Sequence, residues 1–141
     1  KLYNLLNKLF LFVAPDYDEV GIKNFFKFAE DVDLLKQLVF YAALHNDKIT
    51  GILAVDDKLN HICLFFVDKD LQNTGIGTAL FKKFLNESMP EAITVNSSPF
   101  AVKVYEKLGF TATGSRQVSD GIVYIPMRYS SIQSNYFCCI L

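Results

Sequence analysis

The sequence has little with which to build a metal centre or a covalent framework: its 141 residues include only three cysteines and two histidines. Cys63 lies in an apolar run and reads as a small buried hydrophobe, while Cys138 and Cys139 are adjacent, a spacing that suits neither a disulfide staple nor a zinc site. His45 and His61 stand apart. No metal is therefore expected, and a reducing cytoplasm is the expected compartment. Arginine is as scarce. Arg116 and Arg128 are the two present, in no cluster, and 14 basic residues nearly balance 15 acidic ones. No basic stripe marks a nucleic-acid partner. The apolar opening, residues 1–12, soon meets Pro15 and Asp16, too short a run to cross a bilayer and without a small-residue cleavage site. No repeat, low-complexity tract or linker interrupts the chain.

What is abundant is apolar surface. Hydrophobic residues make up 51% and aromatics 14%, with 13 Phe, too apolar a chain to stay disordered and long enough to bury a core. The expected organisation is one domain over residues 1–129 and a tail over 130–141. The final Cys138-Cys139-Ile140-Leu141 matches a prenylation pattern. No polybasic stretch precedes it, so a poorly ordered or docked tail is the simpler reading.

Residues 8–14 (KLFLFVA) form an apolar run of strand length. Asp16 with Glu19 suits a helix N-cap, and Val20, Ile22, Phe25, Phe28 and Ala29 give that helix an apolar face. The stretch Glu30-Asp31-Val32-Asp33, with three acidic residues, interrupts it before a short helix over 34–38. Strands over 39–44, 49–55 and 61–67, joined by turn-forming residues, predict an antiparallel meander. Residues 75–89 place Ile76, Leu80, Phe84 and Leu85 opposite Lys82, Lys83, Asn86 and Glu87, an amphipathic helix. A strand over 92–95 follows, then a helix capped by Ser98, with Pro99 first and Gly109 just past its end. Strands over 110–114 and 122–127 flank the turn Ser119-Asp120-Gly121. The pattern predicts an α/β (α+β) domain with a mixed, mostly antiparallel sheet flanked by helices.

The chemistry lies where the third meander strand runs into the amphipathic helix, Val67-Asp68-Lys69-Asp70-Leu71-Gln72-Asn73-Thr74-Gly75-Ile76-Gly77-Thr78. Glycines at a helix start let phosphates approach the backbone, and the unpaired first-turn amides and the helix dipole favour an anion. Leu80 stands where a dinucleotide fingerprint needs its third glycine, and no Gly-Lys-Ser/Thr offers a Walker loop. The form Gln-x-x-Gly-x-Gly-x-x-Leu after a meander strand resembles the coenzyme A loop of the GNAT superfamily of N-acetyltransferases. A second segment, from Asn96 through Ala101 and Tyr105 to Gly109-Phe110, resembles that superfamily's A-x-x-x-Y-x-x-x-G-F signature. The resemblance spans residues 8–129. The chain departs from it at Gln72-Asn73-Thr74, which lacks a usual loop glycine and cation.

The resemblance implies a GNAT fold and acetyl-CoA as co-substrate. The strand before the loop would bulge and splay, so that the backbone of Phe65, Phe66 and Val67 holds pantetheine. Amides of Gln72, Asn73, Thr74, Gly75, Ile76, Gly77 and Thr78 would hold the pyrophosphate, and Asn96 and Ser98 would face the arm's other edge. Tyr105 would be the acid that protonates the departing sulfur. For the base, His61 is the candidate, because an imidazole titrates near neutrality. The expected acceptor is an amine of a small molecule, peptide or protein, and a homodimer accords with many relatives. Glu30, Asp31 and Asp33 read as a solvated helix boundary in the region expected to face the acceptor. Two other functions are compatible with the same fold: a non-catalytic acyl-CoA sensor, and an acetyltransferase acting on charged tRNA, which the charge balance disfavours.

Overall fold

A computed structural model describes residues 18–131; the expected strand over 8–14 and residues 132–141 of the tail lie outside them. Helix α1 (Glu19–Glu30) begins at Asp18, whose carboxylate accepts from the Gly21 amide at 2.8 Å. The cap is thus Asp18 and not Asp16, two residues nearer the apolar face. Phe25 and Ala29 are buried, whereas Val20 is exposed, because it lies on the other side of the helix. The acidic stretch read as an interruption also starts the next helix: Asp31 accepts from Leu34 N at 2.9 Å and caps α2 (Val32–Lys36).

The meander follows as β1 (Val39–His45), β2 (Lys48–Val55) and β3 (His61–Val67). A short 3-10 turn, Lys69–Leu71, leads to helix α3 (Ile76–Ser88) and then β4 (Ala92–Ser97). The Ser98-capped segment starts as a 3-10 turn over Pro99–Ala101 before α4 (Val102–Lys107). Gly109, at φ +100°, then turns the chain. Last come β5 (Thr111–Ala112), β6 (Gln117–Ser119) and β7 (Ile122–Ser130). The sheet order is β1-β2-β3-β4-β7-β5, with β6 paired to β7. All pairs are antiparallel except β3 with β4.

The expected strand over 110–114 shrinks to two residues. The hairpin partner at the predicted turn is β6, which its polar composition hid. Asp120 and Gly121 both take positive φ there, 52° and 75°, the geometry of a type I′ hairpin. A side chain at Gly121 would also collide with the Asp18 carboxylate and the Gly21 amide, so this glycine lets the hairpin close over the start of α1.

Each sheet face buries its own core. Leu80, Phe81 and Phe84 of α3 join Leu53, Val55, Ile62, Ile93, Val95, Tyr105, Phe110 and Met127 in the larger one. Ala29 of α1 packs with Ala54 and Leu64 on the other face. Gly51 allows the close approach of α3, since a Cβ there would lie 3.0 Å from both Ile76 and Leu80 side-chain atoms.

Candidate acyl-donor cleft

The parity of β3 is broken. Side chains of a strand alternate between faces, yet Ile62 belongs to the larger core and Leu64 to the smaller. The cause is in the register: Val55 faces Ile62 while Ala54 faces Leu64, leaving Cys63 as an extra residue. This β-bulge bends the strand. On its other edge β3 pairs with β4 only at His61↔Thr94 and Ile62↔Val95. Beyond that point the two strands part, and residues 63–67 turn an open backbone edge toward a wedge-shaped cleft.

The cleft holds about 350 Å³ and its lining is mainly apolar. Phe65, Phe66, Val67, Gln72, Asn73, Gly75, Ile76, Gly77, Thr78, Asn96, Ser98 and Tyr105 all line it. Thr74 is not among them; its hydroxyl donates to the Leu71 carbonyl and pins the loop. The Gln72 side chain likewise turns back, donating to the Val67 carbonyl at 3.3 Å. Asn73 sits at φ 61°, a left-handed position that asparagine tolerates, so the missing loop glycine does not forbid the turn.

Gly75 occupies the N-cap of α3 at φ +90°, with no side chain capping the helix and no acidic residue in its first turn. The leading amides of α3 thus lie at the cleft with their positive dipole end uncompensated. At Gly77 an added Cβ would meet Val67 and Phe65 only at ordinary contact distance, 3.5 Å or more. The residues present fit an elongated ligand with an apolar arm and an anionic group.

Tyr105 is buried, its ring between Phe65 and Phe110 at centroid distances of 6.0 and 5.3 Å. Burial pushes its phenol far above the ordinary range, so it stays protonated. No buried side-chain oxygen or nitrogen among the described residues lacks a hydrogen-bond partner. The Tyr105 hydroxyl, which has none within them, is therefore accessible at the cleft.

His61 lies elsewhere. It stands at the closed end of the wedge, opposite Thr94, and is not a lining residue. Its Nδ1 is 2.7 Å from the Thr94 hydroxyl, which donates to the Asn60 carbonyl at 3.3 Å. The tautomer protonated at Nδ1 donates to that hydroxyl and keeps a lone pair on Nε2. Burial lowers the imidazole pKa, opposed by the Asp56 carboxylate, and favours the neutral ring. Sequence reading missed Ile62, Cys63, Leu64, Leu71, Val95, Phe100, Ala101, Val104, Lys107 and Leu108 as lining residues. The i, i+4 spacing of Phe100, Val104 and Leu108 gave one usable signal, a stripe on one side of the turn and helix.

A bulged strand thus parts from a parallel neighbour and delivers the chain to an uncapped helix start in a mixed α/β fold. The chain belongs to the GNAT acetyltransferase family: its Acetyltransferase (GNAT) domain model matches residues 13–131. No curated protein matches it in sequence. Among solved structures, it is similar to the PaiA N-acetyltransferase of Thermoplasma acidophilum in complex with coenzyme A. The TM-score is 0.70 at 15% identity, over 92% of this chain and 90% of that one. A GCN5-related N-acetyltransferase from Rhodopseudomonas palustris gives 0.68 at 20% identity, over 92% and 84%. Tetrahymena GCN5 gives 0.62 at 19% identity, over 90% and 86%. At these identities the likeness shows the fold, a seven-stranded mixed sheet flanked by helices.

Proposed function

We propose that the protein transfers the acetyl group of acetyl-CoA by direct attack of an amine of a small molecule, peptide or protein. The observation that carries this reading is the splay of β3 from β4 beside the uncapped start of α3. The free edge of residues 63–67 offers backbone donors and acceptors to the amide-bearing pantetheine arm, as an added strand would. Phe65 and the Tyr105 ring give that arm an apolar wall. Amides of Gly75, Ile76, Gly77 and Thr78 would hold the pyrophosphate, and an amide near Val67 would polarise the thioester carbonyl. Acetyl-CoA supplies an activated acyl group whose thiol leaves readily.

Two proton tasks remain for the chain. Tyr105, protonated at any working pH and open to the cleft, donates to the departing sulfur. Its high proton affinity demands that the dry site raise the sulfur's own, which the apolar lining favours. His61 is assigned the accepting role through Nε2; because the ring lies outside the cleft, the proton reaches it through water. Calorimetric titration with acetyl-CoA, with NAD and ATP as controls, tests the donor. Selective binding supports the reading, and no binding at millimolar donor overturns it. The alternative of a non-catalytic acyl-CoA sensor would show binding with unchanged donor in a screen of amines.

A further inference from the structure

We infer that Lys107 is the cation that meets the phosphates of the donor, so that the site discriminates coenzyme A thioesters from uncharged pantetheine thioesters. This inference rests on the donor assignment above and adds a specificity-determining residue to it.

The loop over 72–78 (QNTGIGT) carries no charged side chain. Its neighbours worsen the balance: Asp68 and Asp70 flank Lys69 just upstream, and the Asp68 carboxylate is held there by the Asp70 amide at 3.2 Å. Main-chain amides and a helix dipole amount to about half a positive charge, little against several phosphate charges. Of the described residues that line the cleft, only Lys107 carries a charge. Its side chain is exposed and makes no ion pair among the described residues, where Lys36–Asp33 and Lys83–Glu87 are the pairs formed.

Lys107 is also held in place. Tyr105, two residues earlier, anchors α4 against Phe65 and Phe110. The Phe110 amide donates to the Tyr105 carbonyl at 3.0 Å, closing the turn in which Gly109 takes φ +100°. Lys107 therefore stands at a fixed helix end and lines the same cleft as the uncharged loop residues Gln72, Asn73 and Gly75. The cation absent from the loop is supplied from α4.

The test is calorimetric binding of coenzyme A and of acetyl-pantetheine to the wild type, Lys107→Gln, Lys107→Arg and, as an off-site control, Lys82→Gln. Lys107→Gln should weaken coenzyme A binding about five- to tenfold at low salt, with Lys107→Arg and Lys82→Gln near the wild type. Added salt should narrow that gap. Acetyl-pantetheine should bind wild type and Lys107→Gln equally. Unchanged coenzyme A affinity in Lys107→Gln overturns the inference, as does an equal loss for acetyl-pantetheine, which would mean a merely structural role. If the wild type binds neither coenzyme A nor acetyl-pantetheine, the donor assignment itself falls. If it binds coenzyme A and Lys107→Gln matches it, only the role of Lys107 falls.

Discussion

The two halves of β3 spend their backbone differently. At His61 and Ile62 the strand is laddered to β4 on one side and to the meander on the other; the His61 ring meets Thr94, which donates to the Asn60 carbonyl, and the His61 amide donates to Asp56. From Leu64 to Val67 the meander side stays paired while the β4 side is open. One extra residue at the bulge separates these regimes. The closed half makes a stable strand; the open half makes a strand that lacks a neighbour. In this fold the edge proposed to bind the donor is prepared by withholding a partner rather than by adding a special side chain.

The sharpest way to break this comparison is to fill the open half. Gly77→Asp puts an anion into the cradle at the second helical position, where a carboxylate suits the helix dipole. Acetyl-CoA binding should fall at least about 100-fold, the scale of placing like charges in contact, with the melting temperature unchanged or slightly raised. A folded variant that still binds would show that the α3 amides do not hold the donor.

Next in size is Tyr105→Phe. The hydroxyl has no partner among the described residues to lose, so stability should hardly change, while kcat should drop about 100-fold, the contribution of a positioned acid. Donor Kd should stay within about twofold, as no direct bond to the arm is assigned to the hydroxyl. An unchanged kcat would make Tyr105 only a wall of the cleft.

The closed half predicts a smaller and pH-dependent effect. A base works when neutral, so kcat should rise with pH through the His61 pKa, which burial places below the ordinary 6.5. His61→Ala should lower kcat about tenfold and abolish that acid limb. The same shift has a stability sign. The folded state resists protonation of His61, so its contribution is intact above 6.5 and is lost as pH falls through the lower folded value. A pH–rate profile identical in His61→Ala would remove His61 from the reaction.

Far from both halves, Asp18→Ala should cost about 1 kcal/mol through loss of the α1 cap and leave donor affinity alone. Urea unfolding beside calorimetry checks both.

Much of the fold was legible because period-2 and 3.6-residue patterns are written in side chains. Strand β3 runs over 61–67 as expected, and α3 and β1–β2 differ from their expected bounds by a residue or so. Polar ends were harder. Asn96 and Ser97 extend β4, and Arg128 to Ser130 extend β7, because paired backbone continues where apolar side chains stop. The bulge at Cys63 had no sequence signal, since CLFFV reads as continuous strand. The cradle was visible through its glycines. Its missing cation was also visible, but Lys107 looks like any helix-end lysine until the fold brings α4 to the cleft that the loop lines. His61 shows the reverse: its residue type suggested chemistry, and its position ties it first to Thr94.

Amide hydrogen exchange of the described residues, with and without saturating acetyl-CoA, tests the central claim most directly. The open half and the α3 start should gain protection together, at wedge-facing amides within 63–67 and at residues 76–78, while His61 and Ile62, already laddered, should not change. Binding that protects other segments and leaves 63–67 exchanging as before would contradict the account.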